Sequence, residues 1–307
     1  MPEKNGPHAP LLDAFAAALR ARDRSELTVR YYLSDLRQFV SWFERTMGEP
    51  FRAQAVTEYD AREWRDHLAA RLRPASVNRK LSALGAFYRW AVETGQVRED
   101  PTRHVNGVEQ QPVAPKALGK QALARLLHKV HESGSMRDAA LLELLAATGL
   151  RASEAAGLRL GDLELGERHG WITVRAGKGR KRRRVPVHAR ARRALWDYLE
   201  ARGFAREQAL PRSPAPRAEE ALFLSQKGGG MTPYAVWYAV KKYARLAGME
   251  GVTPHTFRHT VATRLVRNPG VDLVTAATFL GHARLDTTAR YSRPSKEDLE
   301  GAAETLT

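Results

Sequence analysis

"WITVRAGKGRKRRRVPV", residues 171–187, interrupts a chain whose apolar residues otherwise recur at helical spacing. Ile172 and Val174 alternate with polar neighbours, Val185 and Val187 do so again, and Gly177 and Gly179 stand between them. A period of two on both sides of a glycine-containing turn predicts a β-hairpin with a basic tip. Pro186 has no N–H to give to a ladder, which places its strand at a sheet edge. Helical patterns flank the hairpin: 120–130, 136–149, 189–203, 233–248, 255–268 and 272–282. This half of the chain is therefore expected to be α+β.

The first hundred residues carry helical patterns at 11–22, 25–46, 58–72 and 76–95. Leu36, Phe39, Val40 and Phe43 fall at i, i+3, i+4, i+7, one buried face. Val77, Leu81, Leu84, Phe87 and Tyr88 form a second such face, closed by Gly95. The aromatic stripe is expected to be core. Between 99 and 118 the periodicity is lost and Pro101, Pro112 and Pro115 gather, the composition of a linker. The expected organisation is a helical unit over 1–104, a linker over 105–117, a mixed unit over 118–293 and a tail over 294–307. The fold class is mainly α with a small β-sheet.

The composition, 43% hydrophobic and 27% charged, is that of a folded globular protein. No run of 18 uncharged apolar residues occurs, and no basic segment followed by an apolar one opens the chain. Zero cysteines exclude disulfides and thiolate metal sites. A cytoplasmic protein without a membrane span is expected. The net charge of +16 is uneven: residues 1–110 hold 17 Lys/Arg against 15 Asp/Glu, the remainder 33 against 19. Between Arg175 and Arg193 stand ten basic residues and no acidic one. Such a surface attracts a polyanion, because each neutralised phosphate releases counterions; the alternative is a solvated basic face. The candidates for phosphate contact are Arg73, Arg79 and Lys80, at the start of the fourth helix, and Arg175, Arg180, Lys181 and Arg182 around the hairpin tip.

Carboxylates are scattered, so a metal-nuclease cluster is not expected. His255 and His259 stand four apart in "HTFRH", but the zinc-hydrolase pattern needs Glu where Thr256 stands, and Arg258 would repel a cation. What remains is a set of cations and one tyrosine. Arg151 follows the glycine that ends a helix, and Glu154, three residues on, is placed to hold it. His255 and Arg258 lie one turn apart on one face. Lys178 sits at the hairpin tip, and His282 follows Gly281. Guanidinium and imidazole donors suit the charge spread over a phosphoryl transition state. Tyr291, flanked by "TTAR" and "SRPS", is expected to be accessible; on its residues alone it is either a nucleophile or a tyrosine capping a core.

The order "ATGLRASE", "GKGRK", "PHTFRHT", "LGHA", "TTARY" resembles the tyrosine recombinase (lambda-integrase-like) family, and the resemblance covers the whole chain. It implies a helical core-binding domain and a catalytic domain clamping duplex DNA. The implied catalytic set is Arg151, Lys178, His255, Arg258 and His282, with Tyr291 as the nucleophile forming a 3′-phosphotyrosyl link and Glu154 in support. Arg151 and Arg258 would clamp the non-bridging oxygens with His282's help. His255 would handle the nucleophile's proton, and Lys178 would protonate the leaving 5′-oxygen. No cofactor or metal is implied. The implied assembly is a homo-oligomer, a tetramer on two paired sites. In it the tail stripe Leu299, Ala302, Ala303 and Leu306 would pack into a neighbouring protomer. Two alternatives share parts of this pattern: a type IB topoisomerase or hairpin resolvase, and a DNA-binding architectural protein without catalysis.

Overall fold

The structure, a computed structural model, describes residues 8–109, 117–175, 182–206, 210, 216–282, 284–289 and 291. The chain divides into two compact units, Met1–Val113 and Ala114–Thr307.

The first unit is helical: α1 (Ala9–Ala21), α2 (Glu26–Met47), α3 (Glu58–Ala69) and α4 (Pro74–Glu93). Local signals set the ends. The Ser25 hydroxyl accepts from Thr28 N–H at the start of α2, and Gly48 takes a left-handed φ of 72° at its end. Thr57 and Asp60 exchange side-chain-to-backbone bonds in a capping box on α3. The aromatic stripe is core, as expected: Phe39, Phe87 and Tyr88 are buried among Phe15, Phe51 and Trp64. Residues 105–109 lie along this unit, with Val105 and Val108 packed on its core. The Asn78 amide donates to Val108 O at 2.8 Å and its carbonyl accepts from Val108 N at 2.8 Å.

The second unit holds α5 (Lys120–Glu132), α6 (Met136–Thr148), α7 (Ala152–Ala156), β1 (Leu163–Leu165), β2 (Gly170–Val174) and β3 (Arg183–Pro186). Then follow α8 (Ala189–Ala201), α9 (Pro233–Leu246), α10 (Pro254–Val266), α11 (Leu273–Leu280) and α12 (Asp286–Ala289). α6 is its central rod. Leu141, Leu142, Leu144 and Leu145 are all sealed from solvent, because α5, α8 and α10 pack around it. The sheet is antiparallel in the order β1-β2-β3, so Pro186 lies on an edge strand. Leu163, Ile172 and Val185 are in register and face the core. Outward, Arg184 covers the Trp171 ring at 5.0 Å. The hairpin is present, with its tip outside the described residues. β1 was not foreseen, since three residues, "LEL", are too short to show a period. Among the described residues no helix is long and apolar enough to cross a membrane.

Candidate active site

Gly149 ends α6 at a φ of 61°, and a Cβ there would meet Val261 Cβ at 3.1 Å and Leu280 Cδ2 at 3.3 Å. Glycine at this place therefore lets the end of α6 lie against α10 and α11. Arg151 follows at the N-cap of α7. Its backbone N–H and its Nη1 both donate to Glu154, at 2.9 and 2.8 Å. Arg183 on β3 grips the same carboxylate at 3.0 and 2.9 Å and donates from Nε to Phe279 O at 3.2 Å. A Cβ on Gly281 would lie 2.7 Å from Arg183 Nη1, so that glycine makes room for the guanidinium. Burial alone would raise the Glu154 pKa; the Arg183 hydrogen bonds and the Arg151 N–H outweigh it and hold the carboxyl at about 2.

Arg258 on α10 is 2% exposed. Nη1 donates to Gly149 O at 2.9 Å and Nη2 to Leu280 O at 2.6 Å, joining the C-terminal ends of α6 and α11. These carbonyls are the orphan acceptors of two helices, and a guanidinium satisfies both. Burial, and then the charge of Arg151, push its pKa down to about 10, while the Tyr291 phenol and Glu154 act in the opposite sense. Each terminal nitrogen carries a second N–H, so the group retains donors for an anion.

His282 follows the left-handed Gly281 at the end of α11, and its Nδ1 lies 2.7 Å from the Thr288 hydroxyl, on α12. Its ring lies nearly parallel to that of Tyr291, 10° apart with centroids at 6.4 Å. Tyr291 is 5% exposed and packs with Val261, Ala262 and Leu280. This corrects the expectation of an accessible tyrosine: α10 and α11 supply the cover that its polar sequence neighbours conceal. Its hydroxyl lies 2.7 Å from His259 Nδ1, and the His259 and His255 rings meet edge to face at 4.2 Å. Thus His259, which the sequence suggested only as a metal ligand, takes the contact expected of His255. The two histidines share a face of α10, and the one a turn further along reaches Tyr291. Arg183 was likewise missed; in the sequence it is one cation in a run of cations.

Arg151, Glu154, Arg258, His282 and Tyr291 are thus brought together, with His255 beside them through His259. Lys178, Arg180 and Lys181, and the tail over 294–307, lie outside the described residues. Three candidates for DNA contact are otherwise engaged. Lys80 is 7% exposed, with Nζ 2.8 Å from Asp35 Oδ1 and 2.7 Å from Gln38 Oε1. Arg79 pairs with the same buried Asp35. Arg175 is held by Asp162 at 2.6 Å and Glu219 at 3.2 Å. In each case a carboxylate distant in sequence supplies the partner. Arg73 and Arg182 are exposed. Among the described residues, no group of three His, Cys, Asp or Glu side chains is placed to hold a metal ion.

Guanidinium, imidazole and phenol groups thus converge at the ends of α6 and α11, and such donors suit the charge of a phosphoryl transition state. Residues 116–298 match the phage integrase family, and residues 12–95 match the phage integrase N-terminal SAM-like domain. The chain is 36% identical to tyrosine recombinase XerD of Pseudomonas aeruginosa over 300 residues, 95% of each protein. It is 34% identical to tyrosine recombinase XerD of Ralstonia nicotianae, across 89% of this chain and 85% of that protein. Its fold is that of the XerH site-specific recombinase bound to a palindromic difH substrate (TM-score 0.74, 24% identity, 92% of this chain and 81% of that one). It is equally that of a lambda integrase dimer bound to a core site (TM-score 0.71, 16% identity, 92% and 94%). The chain belongs to the phage integrase family, the tyrosine recombinases, and is an enzyme of site-specific DNA recombination.

Proposed function

We propose that this recombinase cuts and rejoins duplex DNA through attack of Tyr291 on the scissile phosphate, giving a 3′-phosphotyrosyl link and a 5′-hydroxyl. The observation that carries this is the placing of the Tyr291 hydroxyl on an imidazole, within the field of Arg258. Arg151 and Arg258 clamp the non-bridging oxygens, and Glu154 keeps the Arg151 fork in place. Thr288 orients His282, whose Nε2 we assign to a phosphate oxygen. His255, exposed on the first turn of α10, serves the phosphate as well. Lys178 protonates the leaving 5′-oxygen. The covalent link conserves the phosphodiester energy for rejoining, so no cofactor is needed.

The unit over 1–104 serves as core-binding domain, joined by 105–117 to the catalytic domain over 118–293. Residues 294–307 link protomers into a homotetramer on two paired DNA sites in the cytoplasm. Trapping the protein on a nicked duplex, from which the cleaved end is lost, tests the chemistry. Peptide mapping of the adduct is expected to find the nucleotide on Tyr291, and a nucleotide on any other residue overturns the assignment.

A further inference from the structure

The phenol of Tyr291 is buried and directed at one particular base. Its oxygen lies 2.7 Å from His259 Nδ1, with ring centroids 5.4 Å apart. His259 in turn rests edge to face on His255 at 4.2 Å, which restricts rotation of its imidazole. We propose that His259 is a further catalytic residue, which aligns the phenol and takes its proton as the bond to phosphorus forms. This rests on Tyr291 being the nucleophile.

A phenol of ordinary pKa, about 10, is almost wholly protonated at neutral pH, so attack requires an acceptor for its proton. A neutral imidazole is the side chain suited to that task near pH 7. With its own hydrogen on Nε2, His259 accepts from the hydroxyl at Nδ1. As the Tyr291 Oη–P bond forms, the O–H bond breaks and its proton passes to Nδ1. The P–O5′ bond breaks with its electron pair on O5′, which receives a proton from the Lys178 ammonium. In rejoining, the 5′-hydroxyl attacks, its proton returns to the lysine, and His259 gives its proton back to the phenolate. His255 is displaced from this role by geometry. It stands one turn nearer the start of α10 and is exposed, while His259 is half-buried beneath the ring it serves.

The test measures the single-turnover rate of adduct formation on a nicked duplex for wild type, His259→Asn and His259→Gln. Each is made with ordinary tyrosine and with a ring-fluorinated tyrosine of lower pKa at position 291. Asn places an amide oxygen near the position of Nδ1, so it keeps an acceptor but cannot take up a proton; Gln repeats the test should Asn disturb the fold. With unfolding midpoint and duplex binding retained, the amide variants are expected to lose about a hundredfold or more in rate. The fluorinated tyrosine should recover much of that loss while changing wild type little, since a more acidic phenol needs less help. A wild-type rate in the amide variants overturns the proposal, and so does a slow rate that the acidic phenol fails to improve. Tyr291→Phe run alongside separates the two ideas. An adduct in that variant sinks the nucleophile itself, whereas no adduct there together with a wild-type rate in His259→Asn sinks only His259.

Discussion

Arg183 on β3 closes a two-point contact on Glu154 of α7, Nη1 to Oε1 at 3.0 Å and Nη2 to Oε2 at 2.9 Å. The same carboxylate holds Arg151, so the strand acts through Glu154 on the direction of a proposed phosphate ligand. Arg183→Ala should lower unfolding stability by about 2 kcal/mol, the loss expected when a charged, mostly buried hydrogen-bonding partner is removed. It should also slow adduct formation. Arg183→Lys should recover part of the stability and little of the rate, since an ammonium cannot grip both oxygens. A stability loss with an unchanged rate would make Arg183 a scaffold residue only.

The Glu154 carboxyl sits at about 2 in the folded chain, against 4.5 for an ordinary glutamate. A depressed carboxyl stabilises the fold above its unfolded value, and that contribution disappears as pH falls through the folded value. The shift corresponds to at most about 3 kcal/mol, less after solvent screening. Wild type should therefore exceed Glu154→Gln by a constant margin above about pH 5, and the margin should shrink between 4.5 and 2. Urea titrations of both proteins across that range measure it. A margin independent of pH would detach stability from this carboxylate's charge.

Lys80 should act on folding and Arg73 on DNA. Removing one partner of a buried ion pair costs about 3 kcal/mol or more, so Lys80→Ala should unfold readily yet leave the salt dependence of DNA binding unchanged. Arg73→Ala should reduce that salt slope by about one unit with little change in stability. Equal slopes for wild type and Arg73→Ala would remove Arg73 from the interface.

The helices were legible because their apolar spacing and caps are local, and the hairpin because its period changes. Arg151, Arg258, His282 and Tyr291 were singled out because short motifs carry them in a fixed order. The ion pairs of Lys80, Arg79 and Arg175 were not legible, because each cation's partner, Asp35 or Asp162, lies on another element. His259 and Arg183 were missed for the same reason, since their contacts with Tyr291 and Glu154 exist only after β3, α10 and α12 pack. The burial of Tyr291 was hidden because its cover comes from Val261 and Leu280, not from its neighbours in sequence.

Deletion after Ser295 removes the apolar stripe from Leu299 to Leu306. The shortened chain should bind a single DNA site at full affinity and lose cooperative assembly, with two-site recombination on a plasmid reduced at least tenfold. Recombination at the full rate would end the assembly role of the tail.

Whether Tyr291 is the nucleophile is decided by comparing wild type with Tyr291→Phe on one nicked duplex. Both proteins are assayed in the presence of a chelator, for binding by mobility shift and for covalent adduct by denaturing electrophoresis. The phenyl ring should retain the packing on Val261 and Leu280, so binding should be unchanged. Wild type should form the adduct without divalent metal, and the variant should form none. An adduct of wild-type yield from Tyr291→Phe would show that another residue is the nucleophile.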